Sequence, residues 1–473
     1  MAGASVAYSF TKEKLKKLNS ILDEVLKEIK PNKGELELMT SYSNDLMERL
    51  RRAVPKNVEI VTEGSIAHGT SLRGSSDLDI FMLFPKELDE RTMEKKALEI
   101  AKSIVYKHKN ESYVIKYAEH PYLKLQMRDL GIDADIVPAF KIKDSSEMGS
   151  AVDRTQLHTE FVVSHLSNKQ KDEVRLLKFI LEQHDIYGAE AETEGFSGYL
   201  CELLIYHFGS LPQLLQSAAN LPVPTVIEPA RRRLVQDKGE IEGFVKRFNS
   251  RFIVIDPTDP NRNVAANVSE ESLARLVLLS RRIVASPKRS NVFGKEYSDT
   301  DARGKVNQIR SRLGVDLYLI AFSTDDISDD ILWQQSRRLR KRIQEALSDS
   351  GFESVLSVEA IGEGKALVAF FINPARKGAG MVIGPSAFMQ KASDNFIKSH
   401  RSSFMLHLDG DRLVAVEKPK YANPQELLSR FAAGKEKGMP THLHIRGARL
   451  FINKIPEGLS KMLYAELMSK DLS

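Results

Sequence analysis

The chain has 473 residues and 42% hydrophobic content, which supports several cores, so a globular protein of about two to four domains is expected. Lysine and arginine number 69 against 64 acidic residues, a net charge of +5 that fits a phosphate-bearing partner without requiring one. Cys201 is the only cysteine, which excludes an intrachain disulfide and a cysteine-built metal site, and no apolar run approaches the roughly 18 residues that cross a bilayer. With no secretory pattern in MAGASVAYSFTKEKLKK, the expectation is a cytoplasmic protein without a membrane.

In chain order, Leu15, Leu18, Ile21, Leu22, Val25, Leu26 and Ile29 recur at three-and-four spacing and predict one helix over 11–29, with a second over 35–53 ending before Pro55. The period then changes. Segments 58–61, 78–84, 113–117 and 132–137 are rich in strand formers, so the first 150 residues read as mixed α/β. Residues 155–285 read as a helical bundle, with helices over 174–183, 198–208, 231–248 and 272–284. Beyond Pro287, strands over 317–322, 354–360 and 366–372, with a basic helix over 331–347, suggest a βαββ unit. The glycine-rich stretch 374–385 reads as a loop or hinge.

The stretch that carries chemistry runs from Glu63 to Phe81: a glycine-serine turn at Gly64-Ser65, a polar segment, and a strand opening Asp77-Leu78-Asp79. Strand alternation points Asp77 and Asp79 the same way while Leu78 and Ile80 enter the core. Two carboxylates this close repel unless hard divalent cations bridge them, and Mg²⁺ favours carboxylates together with substrate phosphates. Two such ions suit in-line phosphoryl transfer and need a third acid. Gly131 to Pro138 supplies it as Asp135, with Asp133 the alternative, on a strand that could neighbour the first. Gly64 lets backbone N–H groups approach a triphosphate, and the Ser65 hydroxyl adds a donor.

A glycine-serine turn after a strand, then two Asp-x-Asp strands, resembles the polymerase-beta nucleotidyltransferase superfamily. Further segments, among them Ala118 to Tyr122, Ser150 to Thr155, Val174 to Lys178, Ile186 to Glu190, Gly195 to Leu204 and Asp256 to Asn267, resemble the archaeal, class I CCA-adding enzymes. That resemblance implies a template-independent enzyme that adds C, C and A to the tRNA 3′ end from CTP and ATP with two Mg²⁺ ions. It implies metal binding by Asp77, Asp79 and Asp135 and nucleotide contacts by Ser65, His158, Lys178 and Tyr187, with Gly64, His68 and Thr155 in the same binding set. Arg262 matches the arginine associated with reading the base, whereas His68 stands where the family usually has arginine.

The expected fold class is α+β multi-domain: a mixed-sheet nucleotidyltransferase head over 1–150, a helical neck over 151–290, and an α/β body and tail over 291–473 containing the βαββ unit, with an internal boundary near 380. The body and tail would grip the tRNA acceptor stem, a homodimer being one candidate assembly. Competing readings are another RNA 3′-terminal transferase, such as a poly(A) polymerase, and a non-catalytic tRNA-binding protein. His120 reads equally as a strand-end structural residue or as one near the RNA terminus. His442 and His444 lack a third ligand, so no zinc is expected there, and the basic run Arg337 to Arg342 reads as an RNA contact.

Overall fold

The computed structural model describes residues 7–74, 77–105, 111–117, 119–127, 131–294, 301–324, 327–362, 364–374, 380–417, 421–436, 439–440, 443, 448–456 and 458–471. Two compact units divide the chain at 295/296.

The first unit opens with α1 (Lys12–Ile29) and α2 (Lys33–Ala53). Thr11 caps α1, and Asn32 with Glu35 forms a capping box on α2, satisfying backbone N–H groups that a helix start leaves unpaired. The α2 stripe Met39, Leu46 and Leu50 packs on a five-stranded sheet, but Leu18, Leu22, Val25 and Ile29 of α1 join the later helices instead. The sheet comprises β1 (Glu59–Glu63), β2 (Asp77–Phe84), β3 (Glu111–Tyr117), β4 (Pro121–Met127) and β5 (Ile132–Phe140), with short helix α3 (Gly64–His68) after β1 and α4 (Glu90–Ser103) after β2. Its order is β1-β2-β5-β4-β3, antiparallel throughout except for the parallel β2–β5 pair. Strand β4 was not among the expected strands. Proline at its first position and the charged Lys124 mask the alternation of its buried residues Leu123, Leu125 and Met127.

Next come α5 (Thr155–His165), α6 (Asn168–Glu182), α7 (Gly198–Phe208), α8 (Leu211–Ala219), β6 (Thr225–Glu228), β7 (Arg233–Leu234), α9 (Lys238–Phe248), β8 (Phe252–Asp256), β9 (Asp259–Asn263), α10 (Glu270–Ala285) and α11 (Arg289–Val292). Two expectations fail here. The region is not purely helical, because β7-β6-β8-β9 form a sheet. The helix expected over 231–248 begins only at Lys238, where Asp237 caps it; Arg232 turns the preceding chain through a left-handed φ of 48°.

The second unit holds α12 (Ala302–Leu313), β10 (Asp316–Ser323), α13 (Asp329–Asp349), β11 (Ser354–Gly362), β12 (Lys365–Ile372), β13 (Gly380–Ser386), α14 (Gln390–Ser399), β14 (Met405–Asp409), β15 (Arg412–Glu417), α15 (Pro424–Ala432), β16 (Arg449–Ile452) and α16 (Ser460–Ser469). The expected βαββ unit is β10-α13-β11-β12, in a sheet ordered β11-β12-β10-β16. In the basic run, Arg337 and Arg340 bind the buried carboxylate of Glu359, while Arg338, Lys341 and Arg342 are exposed. Part of the expected loop 374–385 is strand β13, paired with β15; residues 375–379 lie outside the described set, as do His442 and His444.

A buried ion pair ties α2 to the sheet. Arg49 on α2 reaches Glu111 at the start of β3 at 2.8 Å, with side chains 5% and 1% exposed, and also binds Asp45. Removing Glu111 takes the buried partner from a buried guanidinium that keeps Asp45, at a cost of up to about 3–5 kcal/mol. Glu111→Ala should lower the denaturant midpoint of this unit accordingly, and an unchanged midpoint would contradict that role.

Candidate active site

The carboxylates assemble through strand register. In the parallel β2–β5 pair, Asp77 lies opposite Asp133 and Asp79 opposite Asp135. β1 places Glu63 opposite Asp79, and β4 places Lys124 opposite Asp135. Cross-strand partners share a sheet face, so Glu63, Asp79, Asp135 and Lys124 form one row across four strands. Lys124 Nζ lies 3.3 Å from Asp77, 3.2 Å from Asp133 and 3.9 Å from Asp135.

Burial and mutual repulsion set the electrostatics of the row. Burial first, then the charges of Asp135 and Asp77, push the Asp79 carboxyl up to about 7. Burial also raises Asp135, countered by Lys124, and raises Glu63 against a Thr159 hydrogen bond. Burial would lower the Lys124 ammonium, but the carboxylates of Asp135 and Asp77 outweigh it and hold it above its ordinary value. Asp135 Oδ1 and Glu63 Oε2 are buried without a hydrogen-bond partner among the described residues. Anionic oxygens that are buried, crowded and unpartnered are what a hard divalent cation satisfies, so these residues fit Mg²⁺.

Gly64 is required sterically. Its φ is +70°, and a Cβ there would lie 2.0 Å from Asp79 Oδ2. Ser65 follows in the first turn of α3, half-buried beside this glycine, and its carbonyl accepts from Thr70 N–H at 2.9 Å.

Residues of α6 and α7 hold the loop after α3 from behind. Glu202, buried on α7, accepts from Thr70 Oγ1 at 2.7 Å and bonds His68 Nδ1 at 2.9 Å, while His68 Nε2 meets Thr159 Oγ1 at 2.8 Å. Arg175 donates to the carbonyls of Ser71 and Gly69, and Lys178 Nζ lies 3.2 Å from Thr70 Oγ1. His68 thus has both ring nitrogens engaged inside the protein. Lys178 and Tyr187 converge at Gly198, whose missing side chain leaves room: a Cβ there would lie 3.3 Å from Tyr187 Oη and 3.4 Å from Lys178 Nζ. Burial raises the Tyr187 phenol far above its ordinary 10, keeping it a neutral donor.

A second cluster centres on Asp256, fully buried at the end of β8. Its carboxylate accepts from Arg262 at 2.9 Å, Tyr199 Oη at 3.2 Å and Thr258 Oγ1 at 2.8 Å, and bonds His158 Nε2 at 3.0 Å. Burial alone would raise Asp256, but the bonds from His158 and Thr258 hold it far below the usual carboxylate range. The His158 ring stacks on Tyr199 with centroids 3.8 Å apart. Arg262 lines a cavity with Arg154, Gly195, Ser197, Asp259 and Asn267. Thr155 sits half-buried in the first turn of α5, whose start is fixed by buried Asp153 accepting from Phe140, Gly149 and Ser150 N–H.

The structure therefore brings Asp77, Asp79 and Asp135 onto one sheet face beside Gly64, and gathers His158 and Arg262 around Asp256. Sequence reasoning did not single out Glu63, Lys124, Asp256 or Glu202 as members of the site. The first was visible as the residue before the glycine-serine turn; the others acquire their roles only through cross-strand or interhelical pairing.

Because Asp79 holds its proton to about pH 7 when folded and only to 3.8 when unfolded, the native state binds more protons between those values. Stability without divalent cations therefore falls as pH rises through that window, by linkage. Thermal melts in EDTA should show that decline, and Asp79→Asn should flatten it; an equal pH dependence in the variant would refute the assignment. Gly64→Ala should lower the melting temperature by several degrees through the clash with Asp79, with Asp79→Ala as a second change relieving part of the loss.

Three family models match in succession: a nucleotidyltransferase domain over residues 43–158, the second domain of tRNA nucleotidyltransferase over 172–293, and the C-terminal domain of CCA-adding enzyme over 313–447. The CCA-adding enzyme of Methanocaldococcus jannaschii is 31% identical over 447 residues, covering 92% of this chain and 95% of the relative. That of Sulfurisphaera tokodaii is 33% identical, covering 88% and 93%, and that of Archaeoglobus fulgidus 32% identical, covering 91% and 92%. Among solved structures, a cytoplasmic RNA terminal U-transferase aligns with 60% of this chain and all of its own at 18% identity and a TM-score of 0.46, too remote to bear on function. With nearly full-length identity above 30% to three curated relatives, this chain belongs to the CCA-adding enzyme family.

Proposed function

We propose that this protein adds C, C and A to the 3′ end of tRNA from CTP and ATP, one nucleotide at a time and without a template. The observation that carries the reading is the β2–β5 register, which aligns Asp77 with Asp133 and Asp79 with Asp135 at the edge of the Gly64 turn. Asp77, Asp79 and Asp135 would hold two Mg²⁺ ions, which supply charge stabilisation to the attacking 3′-hydroxyl and the triphosphate. No described helix is long and apolar enough to cross a membrane.

The chain's own residues divide the remaining work. Gly64 N–H and the Ser65 hydroxyl bind triphosphate oxygens, the backbone approaching closely because no Cβ intervenes. Lys178 and Tyr187, converging at Gly198, take a phosphate and a sugar hydroxyl respectively. Arg262, oriented by Asp256 and backed by His158, offers planar donors to the incoming base edge, with Thr155 in the first turn of α5 assigned to the same nucleotide. His68, enclosed by Glu202 and Thr159, acts indirectly by setting the loop that follows Ser65. Lys124 neutralises the carboxylate row from its far end.

On this reading residues 1–150 are the catalytic head, 151–290 the neck, and 291–473 the body and tail that grip the acceptor stem, with a boundary near 380. A cytoplasmic setting and a homodimer go with it as assignments to be measured.

Incubation with tRNA lacking its terminal nucleotides, Mg²⁺, and CTP or ATP singly tests the reaction. Ordered incorporation of C, C, then A is expected; open-ended A addition would instead indicate a poly(A) polymerase. Asp79→Ala should abolish incorporation while tRNA binding, followed by filter retention, stays within a few fold of wild type; undiminished incorporation would remove Asp79 from the catalytic set.

A further inference from the structure

Outside the carboxylate row, one cluster has ligand geometry. Glu90 and Glu94 stand one turn apart on α4, so their carboxylates share a face. His120, just before β4, aims Nδ1 at both, 3.3 Å from Glu90 Oε1 and 3.1 Å from Glu94 Oε1. The three ligand atoms all lie within 4.8 Å of one another, the one such group among the described residues. The His120 side chain is 1% exposed, and its Nε2 is buried with no hydrogen-bond partner among the described residues.

His120 Nδ1 hydrogen-bonds Glu94 Oε1 and faces Glu90 Oε1 as well, so one buried ring nitrogen is set between two carboxylate oxygens. Its Nε2, which points away from the cluster because the two ring nitrogens diverge, takes no part in it. A divalent cation between Nδ1 and the two Oε1 atoms would engage three lone pairs at once and match the charge of two glutamates. One imidazole and two carboxylates suit borderline ions such as Zn²⁺ better than Mg²⁺, which prefers oxygen alone. Glu90, 63% exposed, leaves one side of the cluster open for entry and for a water ligand.

We propose that Glu90, Glu94 and His120 form a structural binding site for a divalent cation of the zinc class, which ties the first turns of α4 to the start of β4. The site uses none of the catalytic carboxylates. Its consequence is mechanical: β4 carries Lys124 into the row, so an ion held by the residue just before it steadies the strand that supplies the row's counter-charge.

Calorimetric titration of metal-free full-length protein with Zn²⁺, in excess Mg²⁺, tests this directly. Wild type should bind a single tight ion, and so should the control Asp77→Asn/Asp79→Asn. Glu94→Gln, which keeps shape and removes charge, should weaken it by about tenfold or more, as should His120→Asn. Glu90→Gln/Glu94→Gln, with circular dichroism to establish folding, decides the matter should His120→Asn fail to fold. Zinc-edge anomalous diffraction should place the ion beside His120 Nδ1. No Zn²⁺ binding by wild type, equal affinity in Glu94→Gln, or loss of binding in the control alone would each overturn the proposal.

Discussion

Everything at the candidate active site follows from one unfavourable interaction, the packing of like charges along a row of paired strands. Backbone hydrogen bonding fixes Glu63 beside Asp79 and Asp79 beside Asp135, and the sheet's hydrophobic underside makes that register costly to change. A slip of one residue would turn Leu78, Ile80, Ala134 and Ile136 out of the core. Core burial thus imposes the carboxylate crowding, and the protein responds with the shift of Asp79 and the insertion of Lys124. Both responses are incomplete, which leaves the row receptive to divalent cations.

Around the row, two buried acids act as organisers. Glu202 gathers His68 and Thr70, the latter also bonded by Lys178, and so holds the loop leaving α3. Asp256 gathers His158, Tyr199 and Arg262 at the cavity. Despite burial, hydrogen bonds hold both carboxyls below their ordinary range, and each acid positions a basic side chain, His68 for Glu202 and Arg262 for Asp256. The contrast with Asp79, half-buried and repelled by its neighbours, separates acids that build the site from acids suited to working in it.

The sequence made some of this readable and not the rest. Alternation over 77–80 and 132–137 told which way Asp77, Asp79, Asp133 and Asp135 face, because the side-chain period of a strand is local. The βαββ unit was visible for the same reason: periods of two and 3.6 follow one another from Leu317 to Ile372. Strand β4 was missed because Pro121 and Lys124 disguise its alternation, and with it went the one cation of the row. The sheet β7-β6-β8-β9 was missed because its strands are only 2 to 5 residues long, too short to show a period against helical neighbours. Glu202 sits in the apolar run of α7, and only its partners at His68 and Thr70, far off in the chain, reveal why a charge is tolerated there.

Without divalent cations the β2–β5 carboxylates form an electrostatically unfinished site. Melting temperatures at pH 8, with metal first removed and Mg²⁺ then restored, test it most directly. Wild type should show a clear rise with Mg²⁺ and Asp79→Asn/Asp135→Asn almost none, the metal-free variant already melting above metal-free wild type. A wild-type transition indifferent to Mg²⁺, or a double variant that responds equally, would contradict it.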